Sequence, residues 1–132
     1  ESTRVPMAFI APGIKQGAIC EEAVSLLDIF PTLVELTGHK PFGQLEGQSL
    51  VPLLHTPDKD RARPAITTWH PNNHAVRTER WRFIQYHNGD RELYDHQNDP
   101  DEFHNLAGQP KYESIMDSLK KWIPNINAEP LK

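Results

Sequence analysis

Val5, Pro6, Met7, Ala8, Phe9, Ile10 and Ala11 form an unbroken apolar run that ends at Pro12-Gly13. A continuous run of this length suits a strand covered on both faces, as in a parallel sheet, rather than one with a wet face. Pro6 lies near its start, where a missing N–H is tolerated, and Pro12-Gly13 turns the chain. Downstream, Ser25 followed three positions later by Asp28 reads as a capping box with Asp in place of Glu. Leu26, Ile29, Phe30, Leu33, Val34 and Leu36 then fall at helical spacing, and Gly38 is the stop. Pro31 would cost a hydrogen bond in a helix begun at Ser25. The spacing therefore predicts a tight turn over residues 26–30 and a regular helix from Pro31. One strand and one helix cannot cover a strand that is apolar on both faces. The expected fold class is α/β, with sheet neighbours of this strand lying outside the sequence.

Length and charge narrow the classes. The 132 residues suit one domain, or the end of a larger one. Fourteen basic against eighteen acidic residues give a net charge of −4 with His neutral, both signs interspersed. That balance argues against a nucleic-acid binder and a basic membrane-surface helix. No apolar run approaches the roughly 18 residues of a membrane span. The single cysteine, Cys20, can form neither an internal disulfide nor a cysteine metal site. No signal peptide can be read at the N-terminus, and the opening looks like a cut through a larger fold.

Residues 39–63 are broken by Pro41, Gly43, Gly47, Pro52 and Pro57. A short helix is expected over residues 49–54, with Ser49 or Gln48 near its cap. Asp58, Lys59, Asp60, Arg61 and Arg63 read as a solvated charge run and a linker. The second half predicts an antiparallel meander: residues 65–69, 75–78, 81–86 and 91–95. Glu79-Arg80 and Asn88-Gly89 would be its turns. Trp81 and Phe83 would share one face, and Arg82, Ile84 and Tyr86 the other. Pro110 then opens a final helix with the stripe Tyr112, Ile115, Met116, Leu119, Trp122 and Ile123. Pro124 ends it, and the tail from Asn125 should fray. The organisation expected is 1–63 and 64–132.

Candidate chemistry is sparse. His70, Pro71, Asn72, Asn73 and His74 place two His four apart, but Pro71 and the Asn pair argue against a helical metal pair. The stretch reads as a polar turn or as a ligand-contacting loop. Cys20, among Ala18, Ile19 and Ala23, reads as a small buried hydrophobe. Asp95, Asp99, Asp101 and Glu102 cluster at a turn but lack the Gly and spacing of a calcium loop. Arg77, Arg80 and Arg82 make a basic strip. It could fork an anion, or pair with Glu79, Glu92 or Asp95 across strands. No phosphate loop, nucleophile elbow or Cys-x-x-Cys is present, so no catalytic set is complete.

Three stretches together resemble the C-terminal part of a formylglycine-dependent sulfatase. The first is Glu1-Ser2-Thr3-Arg4-Val5-Pro6, similar to the family's lead-in to a late strand of its large sheet. The second runs through Ser25-Leu26-Leu27-Asp28-Ile29-Phe30-Pro31-Thr32-Leu33-Val34-Glu35-Leu36-Thr37-Gly38, almost position by position the family's "S-L-x-D-x-x-P-T-L-L-x-L-x-G" helix. The third is Glu92-Leu93-Tyr94-Asp95, Asp99-Pro100-Asp101-Glu102 and Asn105-Leu106-Ala107, like the family's closing motif. Arg77-Thr78 with Trp81-Arg82-Phe83-Ile84 also resembles its "R-T-x-x-W-R/K-Y-I" hairpin. The resemblance implies the terminal strand–helix unit of an alkaline-phosphatase-like α/β domain. A smaller α+β subdomain follows, with an antiparallel sheet and a C-terminal helix. It implies hydrolysis of sulfate esters, of a sulfated sugar, glycan or other small organic sulfate. Formylglycine and a calcium ion would belong to the full-length enzyme, and export to the periplasm or outside the cell is implied. Ile19-Cys20-Glu21-Glu22 lacks the downstream Pro and Arg of a formylglycine site, and no catalytic or metal-binding position of the family maps onto these residues. The chain alone should therefore be inactive, with the rest of the sulfatase domain as its partner. By location within the smaller domain, His70, Asn73 and His74 are the expected substrate contacts. Two other readings stay open: a phosphodiesterase or phosphonate hydrolase of the same superfamily, and a stand-alone binding domain derived from it.

Overall fold

A computed structural model describes residues 3–41 and 43–127, which fall into two compact units, Glu1–Ala62 and Arg63–Lys132. Glu1 and Ser2 of the lead-in motif, and the tail beyond Asn127, lie outside the described residues.

In the first unit the Ser25 signal works as read. Ser25 caps a single 3-10 turn, Leu26–Asp28: its hydroxyl accepts from the Leu27 N–H at 3.3 Å, and its own N–H donates to Asp28 Oδ2 at 2.8 Å. Helix α1, Ile29–Leu36, starts two residues earlier than expected. The reason is that Pro31 is only its third residue, where backbone N–H groups have no intrahelical partner to lose. Gly38, at φ 71°, closes α1. The Gly38 N–H donates to the Glu35 carbonyl and the His39 N–H to the Val34 carbonyl, a paired closure that needs a left-handed residue there. A shorter helix α2, Val51–His55, follows, with the Ser49 hydroxyl accepting from the Val51 N–H at 3.2 Å.

The polar groups of α1 knit this unit. Asp28, 2% exposed, accepts from the Gln48 N–H at 2.8 Å and from Arg61 Nη2 at 2.7 Å. Arg61 Nη1 also donates to the Ala23 carbonyl at 2.8 Å. The buried Thr32 hydroxyl donates to the Asp28 carbonyl and accepts from the Leu50 N–H. Arg61 is therefore not part of a solvated linker: its side chain is 7% exposed and anchors the end of the unit. Gly47 is required because a Cβ there would collide with the Leu27 carbonyl. Two other expectations change. Residues 5–11 form no strand here, and Val5 and Ile10 are exposed. A strand exists through bonds to a neighbour, and no described residue pairs with them. Cys20 is exposed rather than buried.

The second unit is the expected meander. Strands β1 (Ala65–Thr68), β2 (His74–Arg77), β3 (Trp81–Gln85) and β4 (Arg91–Asp95) lie antiparallel in the order β1-β2-β3-β4. Gly89, at φ 90°, turns β3 into β4 as the Asn-Gly pair implied. The register sets Ile66, Val76, Phe83 and Leu93 side by side. Val76, Phe83 and Leu93 are fully buried under helix α3, Glu113–Lys120, through Met116 and Leu119. Pro110 opens the 3-10 turn Pro110–Tyr112 that leads into α3. Trp122 does not join the core and is 40% exposed, because the chain has left α3 before it. Asn105 covers the outer edge of β4: its Oδ1 accepts from the Leu93 N–H at 3.0 Å, and its Nδ2 donates to the Arg91 carbonyl. That explains Asn105-Leu106-Ala107 as an edge cover with Ala107 buried.

Candidate binding cleft

The connection between β1 and β2 is short and strained. His70 and Asn72 adopt φ of 57° and 62°. Left-handed backbone costs a non-glycine residue about 1–2 kcal/mol, less for Asn. The bonds that hold it come largely from Asn73. Its carbonyl accepts from the Trp69 N–H at 3.0 Å, and its Nδ2 donates to the Pro71 carbonyl at 3.0 Å. Its Oδ1 accepts from the His87 N–H at 3.2 Å, tying the turn to the end of β3. The Asn72 N–H donates to Asn127 Oδ1 at 2.9 Å, so the tail is anchored at Asn127 rather than frayed there.

The three sequence candidates separate. His70 is exposed, its ring edge-on to the exposed Trp69 at 4.8 Å. Asn73 is spent within the turn. His74 is not a loop residue: it is the first residue of β2 and is 3% exposed. It shares the core face with Val76, in a cross-strand row with Thr68 and Gln85. The Thr68 hydroxyl and His74 Nδ1 are 2.9 Å apart, and His74 Nε2 has no hydrogen-bond partner among the described residues.

His74 lines an open cleft of about 280 Å³ between this end of the sheet and the end of α3. Gln85, Lys120, Asn72, Asn125 and Asn127 supply its other polar walls, and Ile123 and Pro124 its apolar ones. Sequence reasoning missed Gln85, Lys120, Asn125 and Asn127. Gln85 carried a signal, since counting by two from Phe83 places a polar residue on the core face. The other three reach the cleft only through the packing of α3.

The charged clusters are structural. Arg80 grips Asp95 with both Nε (2.8 Å) and Nη2 (2.7 Å). That fork, with Asn98 Nδ2 and the Gln97 N–H, outweighs burial and holds the Asp95 carboxyl at about 2. Arg82 pairs with Glu102 at 2.7 Å, and His96 Nε2 meets the other Glu102 oxygen at 2.7 Å. Burial raises the Glu102 carboxyl, but Arg82 and His96 together bring it below the usual range. Arg80 and Arg82 thus engage Asp95 and Glu102, while Glu92 accepts from the Tyr86 and Tyr94 hydroxyls instead. Burial, then the bond to Glu92, pushes Tyr94 up to about 12. Asp99 accepts the Phe103 and His104 N–H groups. No three His, Cys, Asp or Glu converge on a metal site among the described residues.

The sequence model of the family described as N-sulphoglucosamine sulphohydrolase, C-terminal, matches residues 1–129. A sulfatase of Formosa agariphila is 37% identical over 127 residues, covering 96% of this chain and 25% of that protein. A delta 4,5-hexuronate-2-O-sulfatase of Bacteroides thetaiotaomicron is 34% identical over 128 residues, covering 88% and 27%. The solved structure of a 2-O GAG sulfatase superposes with a TM-score of 0.70 at 31% identity, over 83% of this chain and 26% of that one. A phosphonate monoester hydrolase of Agrobacterium radiobacter, at 24% identity and TM-score 0.56, shares the fold. The chain spans about a quarter of the length of the relatives it matches.

Proposed function

The chain belongs to the family of N-sulphoglucosamine sulphohydrolase C-terminal regions, and from that premise we propose that it is the C-terminal part of a sulfatase that hydrolyses sulfate esters of sugars. The family match over residues 1–129 carries the reading. The sulfated-sugar class comes from relatives named as a hexuronate-2-O-sulfatase and a 2-O GAG sulfatase. The phosphonate hydrolase reading rests on a shared fold alone.

The division of labour follows from what these residues can and cannot do. Asp28, Asp95, Asp99 and Glu102 are all engaged by cations or backbone N–H groups, and Cys20 lacks a following Pro and Arg. They do not fit a metal site or a formylglycine, so both groups, with calcium as the proposed ion, would come from the rest of the sulfatase domain. Residues 5–11 would complete their strand against that domain's sheet. What this chain contributes is a rigid sheet end facing the substrate. His74 makes the contact, Asn73 positions the turn, and His70 stands at its exposed rim. An exported setting goes with this reading, and among the described residues no helix is long and apolar enough to cross a membrane.

The test is the full-length protein, matured with formylglycine and assayed on sulfate and phosphate esters. Sulfated sugars should turn over, and the 132-residue chain alone should be inactive. Turnover of phosphate esters only would move the protein to the phosphate branch. In that enzyme His74→Gln, which keeps a polar side chain of similar length, should lower kcat/KM about tenfold with no loss of thermal stability. Unchanged kinetics on a good substrate would make the turn a purely structural one.

A further inference from the structure

The cleft beside His74 has the chemistry of a binding site with a definable ligand. We propose that it binds one anionic sugar ring, with Lys120 and the His74 imidazole taking the anionic group and the carboxamides of Gln85, Asn125 and Asn127 the ring hydroxyls. The substrate class rests on the sulfatase reading; the site rests on the geometry.

Charge selects the first half of the ligand. Lys120 is the sole charged residue among the described residues lining the cleft, and no carboxylate opposes it. Its ammonium extends from the last residue of α3, exposed to solvent and with no fixed partner. His74 supplies the second contact. Thr68 fixes its ring at Nδ1, and Nε2 lies shielded from solvent without a partner. A buried polar atom left in that state costs about 1–3 kcal/mol, and a ligand oxygen accepting from Nε2–H recovers it.

The carboxamides select the second half. Each amide both donates and accepts, as a sugar hydroxyl does, so a wall of Asn and Gln reads polyhydroxyl surface without discharging Lys120. Ile123 and Pro124 offer an apolar patch for the C–H face of a ring. At about 280 Å³ the cleft lies at the small end of the ~300–1,000 Å³ range of ligand sites, which suits one ring rather than a chain of them.

The experiment is a chemical-shift titration of the ¹⁵N-labelled 132-residue chain with glucose 6-sulfate, glucuronate, glucose and sodium sulfate in separate arms. The proposal expects saturable shifts of the Gln85, Asn125 and Asn127 side-chain amides with at least one of the two anionic sugars. Which of them binds tighter identifies the anion as sulfate or carboxylate. Glucose and sodium sulfate, each lacking half of the ligand, should bind at least about tenfold more weakly. Lys120→Gln, an exposed change that leaves the core alone, should weaken the anionic sugar by about tenfold, as loss of one charge-assisted bond implies. His74→Gln should do the same without altering the Val76 and Phe83 signals. Absence of saturable shifts, equal binding of glucose, or full affinity in Lys120→Gln would each overturn the site. None of these results depends on turnover by the full-length protein, so the site and the sulfatase reading can fail separately.

Discussion

Asp28 shows what one residue does in this chain. Its carboxylate caps the turn that opens α1, receives the Gln48 N–H and meets Arg61, with 2% exposure on its side and 7% on that of Arg61. Removing one member of such a pair leaves a buried charge uncompensated, at about 3–5 kcal/mol. Arg61→Met should therefore disorder the first unit while leaving the second folded; hydrogen exchange resolved by unit would read this, and equal protection in both proteins would refute it. Phe83 plays the corresponding part in the second unit, fully buried between Val76, Leu93 and Met116. Phe83→Ala should cost about 3–5 kcal/mol by urea denaturation, since the sheet and α3 cannot collapse onto the space. Both residues could be singled out from sequence, Asp28 by its cap spacing and Phe83 by alternation. Their partners could not, because Arg61 sits in a run whose composition looks solvated.

At the scale of elements, the meander is held at its far corner by the Arg80 fork on Asp95, at the end of β4. The folded carboxyl stands at about 2, below an unfolded value near 3.9, so its contribution is fully present above about pH 5 and is lost as pH falls toward 2. Arg80 is itself half-exposed, so the loss is on the order of 1–2 kcal/mol after screening. Urea midpoints should decline across that window in the wild type and much less in Asp95→Asn, which starts lower; parallel declines would assign the acid sensitivity to other carboxylates. The strands and both α1 and α3 were legible because their signals are local: alternation, an Asn-Gly turn, a capping Ser, a Pro at a first turn and a stopping Gly. Residues 5–11 show the limit of such signals. Their apolarity specifies a strand, but a strand needs bonding partners, and none lie among the described residues.

The whole molecule carries two units, of which the first presents Val5, Ile10, Leu26, Leu27, Phe30 and Leu33 as exposed apolar side chains. Apolar surface of that kind marks an interface. The 132-residue chain should bind a hydrophobic dye and self-associate, and Ile10→Lys with Leu33→Lys should reduce both; a dye-silent monomer would contradict the assignment of this surface to a larger domain. The sequence alone determined the class of the chain, its antiparallel meander, its caps and the absence of a complete catalytic set, because each is written in residues close together along the chain. It also pointed to His74, though as a loop residue. Only tertiary structure moved His74 onto the core face, spent Asn73 inside the turn, left His70 at the rim, and brought Lys120, Asn125 and Asn127 opposite Gln85. Those juxtapositions arise when α3 packs over the sheet, and a contact made by packing leaves no period or spacing in the sequence to be read.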